Sequence, residues 1–192
     1  VSEYKTVVVD PPWLELGGGK CKRGADKHYD CASWQVALAV INQQRFDIAR
    51  DSILLCWVTD NFLLDGIKLV DALGYKYKRT LVWVKAVQTQ SGGFTKQCFG
   101  LGQYLRGEHE LCLVCGRGRS IGLVQRRDVG SVLLAQKTHH SAKPDEFYKL
   151  AESLFPGPRL DVFARRRRDG WDSFGDEIDG LSVENKRRYR CN

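Results

Sequence analysis

Six short apolar runs punctuate the chain: "TVVVD" (6–10), "SILLCWVT" (52–59), "RTLVWVK" (79–85), "HELCLVCG" (109–116), "SVLLAQ" (131–136) and "RLDVFAR" (159–165). They have the length of strands and lack strict alternation, which is the pattern of strands covered on both faces. Helical patterns fill several of the gaps. "SWQVALAVINQQ" (33–44) sets Val36, Ala39, Val40 and Gln43 at helical spacing. "DNFLLDGIKLVDALGY" (60–75) offers Asp60 as a cap, apolar residues at 63, 64, 67 and 70, and Gly74 as a stop. "KPDEFYKLAESLFPG" (143–157) has Pro144 at the first turn, acidic residues next and Pro-Gly past its end. Strands alternating with helices predict one α/β domain over residues 1–180, with a mostly parallel sheet and helices on both faces. Residues 86–108 form a long Gly- and polar-rich connection, the kind that often serves as a lid or binding loop. The charged stretch "LSVENKRRYRCN" (181–192) reads as a loose C-terminal tail.

The chain has 192 residues, 43% hydrophobic and 28% charged, which suits a globular domain with a sizeable core. No apolar run approaches the roughly 20 residues of a membrane-spanning helix, and no leader precedes the first strand, so an intracellular protein with no membrane partner is expected. There is no Met, initiator included, which makes a trimmed or processed piece the expectation. The net charge of +7 leans toward an acidic partner such as nucleic acid. The seven cysteines are an odd number, as in a reduced compartment. Cys112 and Cys115 lie three apart in a strand pattern and so point to opposite faces. They read as buried thiols, not a metal pair, and no His/Cys/Asp cluster has metal spacing.

The strand "TVVV" ends in "DPPW" (10–13). In open α/β sheets ligands sit beyond the carboxyl ends of the strands, where Asp10 is placed. Pro11 and Pro12 stiffen the turn and present carbonyls without donating hydrogen bonds, and Trp13 offers a flat face. The set is acceptor-only beside a ring. It fits a planar ligand bearing an amine, such as adenine. Two acceptors pulling on the amine hydrogens localise its lone pair, and they stabilise positive charge developing on nitrogen as it attacks a sulfonium methyl. The plainer alternative is a proline turn whose Asp10 caps a local N–H.

Other residues carry paired readings. Trp57 and Trp83 suit a core as well as a pocket wall, and Lys85 suits a solvated charge as well as a site. His109 reads as structural, and His139 and His140 as a polar loop. The run Arg165–Arg168 is either a solvated turn balanced by Asp169, Asp172 and Asp176, or a phosphate-contacting patch. Lys20, Lys22 and Arg23, after a glycine run, suit phosphate contacts on a mobile loop. A base buried in duplex must be flipped out or presented single-stranded to reach such a site.

"DPPW" after an apolar strand resembles the signature of the adenine-N6 methyltransferases related to the mRNA N6-adenosine methyltransferase catalytic subunit and to microbial, phage and ciliate DNA-adenine enzymes. "LLCWVT", "LGYKYKRTLVWVK", "GLGQYLRGEHELCLVCGRG" and "HSAKPDEFYKLAESLFPGPRLDVFARRRRDGWDSFGDEI" resemble the family's later segments in order, so the likeness runs over about residues 4–178. It implies a Rossmann-like S-adenosylmethionine-dependent methyltransferase fold with permuted motif order, the amine-binding motif first and the cofactor strand last. It implies that Asp10 and the Pro11 carbonyl hold the amine, with Pro12 and Trp13 shaping the pocket. Asp10, Lys143, Asp161, Arg165, Asp176 and Glu177 would bind S-adenosylmethionine. Tyr29, Trp83 and Lys85 would line the base pocket, and Arg166, Arg167 and Arg168 would meet the nucleic-acid backbone. Asp176 departs from the family's Asn. A carboxylate accepts from ribose hydroxyls but cannot donate as an amide does.

The activity implied is methylation of the adenine amine in nucleic acid, DNA slightly ahead of RNA, in the nucleus of a eukaryote or the cytoplasm of a microbe. A paired methyltransferase-like subunit is an implied partner. The competing readings are a catalytically inactive nucleic-acid-binding subunit and a methyltransferase for a small amine or protein side chain.

Overall fold

A computed structural model describes residues 3–13, 33–96, 104–137, 142–175 and 178. Eight strands form one sheet: β1 (Tyr4–Val9), β2 (Ile48–Val58), β3 (Lys76–Gln88), β4 (Phe94–Lys96), β5 (His109–Arg117), β6 (Val132–Ala135), β7 (Arg159–Val162) and β8 (Asp172–Phe174). Their order is β4-β3-β5-β2-β1-β7-β8, with β6 also pairing β3. The helices are α1 (Trp34–Gln44), α2 (Leu63–Ala72) and α3 (Asp145–Leu154).

The sheet is mixed rather than mostly parallel. β1 pairs β2 and β7 in parallel, as do β3 with β6 and β7 with β8. β5 instead runs antiparallel to both β2 and β3, and β4 antiparallel to β3. The expectation failed for a physical reason. A strand buried on both faces has the same composition whichever way it runs, and a parallel partner needs a crossover, usually helical, to return the chain. Between β3 and β5 the described chain forms a β3–β4 hairpin.

The two faces hold separate cores. One packs Val7, Val9, Leu54, Cys56, Val58, Leu113 and Cys115 against Ala37 and Ile41 of α1 and Leu69 and Val70 of α2. The other packs Val8, Leu55, Trp57, Trp83 and Cys112 against Phe147, Tyr148 and Ala151 of α3. Cys112 and Cys115 thus lie on opposite faces, as strand parity requires.

The helices are where periodicity predicts, but their buried stripes are shifted. In α1 the buried residues are Ala37, Val40 and Ile41, while Ala39 and Gln43 are exposed. In α2 they are Gly66, Leu69 and Val70, while Leu64 is 74% exposed. Gly66 decides this rotation. A Cβ there would lie 2.3 Å from Val58 Cγ1, so the hydrogen-only side chain lets α2 lie close on β2. Gly74 ends the helix region at φ +79°. Asp60 heads a short 3-10 turn without a side-chain capping bond and pairs instead with His109 Nε2 at 3.3 Å. No helix among the described residues is long and apolar enough to cross a membrane.

Candidate active site

The parallel strands β1, β2, β3 and β7 all end at one edge of the sheet, and antiparallel β5 begins there. Strand parity then sorts the side chains. Asp10 follows Val8 on the α3 face. Glu110 lies opposite Trp83, Cys112 opposite Trp57, and Asp161 opposite Val8. Asp10, Trp57, Glu110, Trp83, Lys85 and Asp161 therefore share one face at one edge. Lys143 reaches them from the segment leading into α3.

Lys143 joins the acids. Its Nζ lies 2.8 Å from Asp10 Oδ1 and 3.2 Å from Glu110 Oε2, and 5.2 Å above the Trp57 ring. The other oxygen of Glu110 takes Lys85 Nζ at 3.0 Å, and Lys85 lies 5.6 Å over Trp83. The result is a chain of alternating charge, Asp10–Lys143–Glu110–Lys85, in which each side chain is no more than 16% exposed. Burial works against the Lys143 ammonium, but Asp10 and Glu110 outweigh it and raise its pKa. Burial likewise pushes Glu110 up, yet the two lysines hold it down at about 2. Burial raises Asp10 above the ordinary carboxylate value, with Lys143 and Arg165 opposing the shift. An unpaired buried charge costs several kcal/mol, on the order of 3–5 when one partner is removed, so this chain is held as a unit.

The DPPW turn is built as a rigid corner. The Asp10 N–H donates to Val162 O at 3.2 Å, tying the turn to β7, and the Trp13 N–H donates to Pro11 O at 2.9 Å. A carbonyl has a second lone pair, so Pro11 keeps accepting capacity. Trp13 is 5% exposed; its Nε1 donates to Trp57 O at 2.9 Å and its ring stacks on Phe62 at 5.6 Å. Its ring therefore anchors the corner instead of lying open as a stacking surface. Trp83 is equally committed, 1% exposed with Nε1 donating to Ala135 O at 2.9 Å. Trp57 packs edge-on to Trp83 and Phe147, which bears out its core reading.

Asp161 lies beside this chain, 2% exposed. Tyr148 Oη donates to its Oδ2 at 2.9 Å, while Oδ1 has no partner among the described residues. Burial, more than any neighbour, raises its pKa to about 7; Asp10 adds to the rise, and Tyr148, Arg168 and Lys143 oppose it. Its neighbour in register on β8 is Ser173, whose buried Oγ is also without a partner there. Buried polar groups are almost always paired, so these two atoms call for a partner beyond the described residues, be it water, ligand or another part of the chain.

The arginine run divides. Arg166 and Arg167 are exposed, and Arg166 pairs with Asp145. Arg165 is half-buried and near enough to Asp10 to lower its pKa. Arg168 turns inward: its side chain is 12% exposed and its guanidinium lies 3.6 Å from the Tyr148 ring centre. Tyr29, Asp176 and Glu177 lie outside the described residues, as do Lys20, Lys22, Arg23, His139, His140 and the tail. Among the described residues no group of three or more His, Cys, Asp or Glu could hold a metal ion.

Glu110 and Tyr148 are members of this cluster that sequence reasoning passes over. Glu110 has a signal: an acid inside the otherwise apolar strand "HELCLVC" needs a buried cation. Tyr148 has none, because an aromatic on a buried helix face reads as core.

Comparison with known proteins places this geometry. Over 187 residues the chain is 27% identical to the human "N(6)-adenosine-methyltransferase catalytic subunit METTL3", covering 95% of this chain and 30% of that protein. Against the rice "Probable N(6)-adenosine-methyltransferase MT-A70-like" it is 28% identical over 189 residues, covering 95% of this chain and 24% of the relative. Against the "Type II methyltransferase M.MunI" of a Mycoplasma species it is 26% identical, covering 95% of this chain and 81% of the relative. The chain thus spans about a quarter to a third of the plant and human relatives and most of the bacterial one. The MT-A70 family model matches residues 4–177, from the first strand to beyond the last, and the chain belongs to the MT-A70 family.

Proposed function

We propose that the protein is an S-adenosylmethionine-dependent methyltransferase acting on the exocyclic N6 amine of adenine in nucleic acid, on a Rossmann-like domain with permuted motif order. The observation that carries this reading is the acceptor corner of Asp10 and Pro11, fixed beside a buried lysine at the carboxyl edge of the sheet. The relatives, named as adenosine methyltransferases and a type II methyltransferase, support it.

The donor set suits the amino-acid end of S-adenosylmethionine. Lys143 complements a carboxylate, while Asp10 and the orphaned oxygen of Asp161 complement an ammonium. Ser173 Oγ and Arg165 would contact hydroxyls of the ligand, with Asp176 and Glu177 as further ribose ligands. When bound, S-adenosylmethionine supplies an electrophilic methyl group. Asp10 and the second lone pair of Pro11 O each take one amine hydrogen. This draws the nitrogen lone pair out of the ring and stabilises the charge that grows on nitrogen. Asp10, its pKa raised by burial, is the adjacent acceptor for the departing proton. Glu110 fixes Lys143, and Lys143 fixes Asp10, so the acceptor stands in place before substrate arrives.

Lys85 and Tyr29 would contact the base, while the buried Trp83 ring backs Lys85 from the core. Arg166 and Arg167 meet the phosphate backbone, which also suits the net charge of +7. DNA is ranked slightly ahead of RNA because the compact form and the "FARRRRDGWD" block resemble microbial and phage-like relatives. A paired subunit is a further partner, in keeping with the word "subunit" in the human relative's name. The protein would work wherever its polymer resides, in a nucleus or a microbial cytoplasm.

The test is tritiated methyl transfer to matched single- and double-stranded DNA and RNA oligonucleotides, with the product base identified by mass spectrometry. N6-methyladenine on one polymer is the expected result. Methyl incorporation at any other atom, or into protein alone, would overturn the proposal.

A further inference from the structure

Tyr148 is more heavily constrained than packing alone needs. Its ring contacts Phe147 at 5.2 Å and Trp171 at 5.4 Å, both edge-on, and carries the Arg168 guanidinium on its face at 3.6 Å. Trp171 is fixed in turn by donating Nε1 to Glu152 at 2.7 Å. A phenylalanine would satisfy every one of these ring contacts. Among the described residues the hydroxyl's partner is Asp161 Oδ2. That bond fixes the carboxylate and leaves Oδ1 buried without a donor among the described residues. Arg168 is held over the same ring. Its side chain is 12% exposed, its Nε has no partner among the described residues, and its Nη2 lies 3.6 Å from Asp145 Oδ1.

We propose that Tyr148, clamped from above by Arg168, is a positioning residue that orients the Asp161 carboxylate, so that its second oxygen is left to accept from a cationic or hydroxyl group of the methyl-group donor. Arg168 thereby acts on the cofactor side of the site, not on the nucleic-acid backbone. This inference rests on the methyltransferase reading only for the identity of the ligand.

The electrostatics make the role measurable. The groups facing Asp161 are Asp10 from the end of β1, Lys143 before α3, Tyr148 on α3, Arg168 after β7 and the uncharged Ser173 on β8. Burial and Asp10 push the carboxyl toward protonation, while Tyr148, Arg168 and Lys143 favour the carboxylate. Near pH 7 the carboxyl stands close to its midpoint, so losing the Tyr148 hydroxyl shifts the balance where a ligand needs the charged form.

The experiment reads the protein alone and then with ligand. Carboxyl 13C NMR titration of wild type, Tyr148→Phe and Arg168→Gln follows Asp161, its resonance assigned by its loss in Asp161→Asn. Calorimetry with S-adenosylhomocysteine is run at pH 7 and pH 8.5. Tyr148→Phe is expected to raise the Asp161 midpoint by about one unit, which at pH 7 weakens binding about fivefold and at pH 8.5 by less than about twofold. Arg168→Gln should move both readouts in the same direction, and it stands in if Tyr148→Phe does not fold. An unchanged midpoint, with affinity lost equally at both pH values or only melting temperature lowered, would overturn the proposal and leave Tyr148 a packing residue. If wild type binds no S-adenosylhomocysteine at either pH, the methyltransferase reading falls, while the titration still decides what Tyr148 does to Asp161.

Discussion

The two faces of the sheet are built from alternate residues of the same strands, yet they handle polar groups in opposite ways. On the α1–α2 face the buried polar groups pair mainly within the protein, although Arg117 Nε has no partner among the described residues. Ser52 and Tyr75 share a 2.8 Å hydrogen bond, and Arg117 Nη2 donates to the carbonyls of Ile48 and Ala49. On the α3 face, at the carboxyl edge, three acids and two lysines are sunk among tryptophans, and Asp161 Oδ1 and Ser173 Oγ are buried without partners among the described residues. A buried charge costs more than a hydrophobic residue of the same size unless it is fully paired. The first face therefore costs little in desolvated charge, whereas the second holds paired charges at a cost in stability, as the proposed ligand site requires.

Breaking the ionic chain should have the largest effect. Lys143→Met leaves Asp10 and Glu110 buried with Lys85 as their remaining lysine, and should cost about 3–5 kcal/mol in urea unfolding. Methyl transfer should fall with it. Glu110→Gln should act less on stability at pH 7 and remove a pH response. Glu110 is lowered in the folded state to about 2 from 4.5, so its stabilisation is present above pH 4.5 and is lost as pH falls toward 2. The Gln variant should show that acid limb flattened in stability measured against pH.

Asp161 has the opposite sign. Its folded pKa is raised to about 7 from 3.8, so the folded state holds a proton that the unfolded state has released. Stability falls as pH rises from about 4 to 7 and is level above. Asp161→Asn should abolish that fall and leave the protein more stable than wild type at pH 8, by up to about 4 kcal/mol, while binding S-adenosylhomocysteine more weakly. A variant that gains stability and loses ligand is what the contrast between faces demands. Equal or lower stability at pH 8 would argue that Asp161 is a structural group.

The smallest effect belongs to the other face. Gly66→Ala pushes a Cβ into Val58 Cγ1 and should cost about 1–3 kcal/mol. Its affinity for S-adenosylhomocysteine should match wild type by calorimetry, because α2 lies on the side away from the charges.

Much of this contrast is legible in the sequence. The apolar runs locate the main strands, and strand parity puts Cys112 and Cys115 on opposite faces. "DPPW" draws attention to the edge of the proposed site, because it sets a carboxylate and two prolines at the end of a buried strand, and the structure brings Lys143 to that carboxylate. What stays hidden depends on neighbours distant in sequence. The direction of β5 is not written in its composition. The buried stripe of α2 turns on how closely Gly66 lets it approach β2. Apolar spacing does not weigh that approach, so it places Leu64 inside. Glu110 is readable as an acid in an apolar strand, but its meaning comes from Lys85 and Lys143, each more than 20 residues away. Arg168, one of four identical residues in a row, gains its separate role only through Tyr148 on α3.

The most direct test of the Asp10 mechanism is single-turnover methyl transfer by wild type and Asp10→Asn, with folding and S-adenosylhomocysteine affinity measured in parallel. Asn keeps the shape of Asp10 and removes the charge that should stabilise the amine nitrogen. Transfer is expected to drop by about 10²–10³-fold while the melting curve stays cooperative and the ligand still binds. Transfer at the wild-type rate in the Asn variant would contradict the central claim that the Asp10 carboxylate does the chemistry.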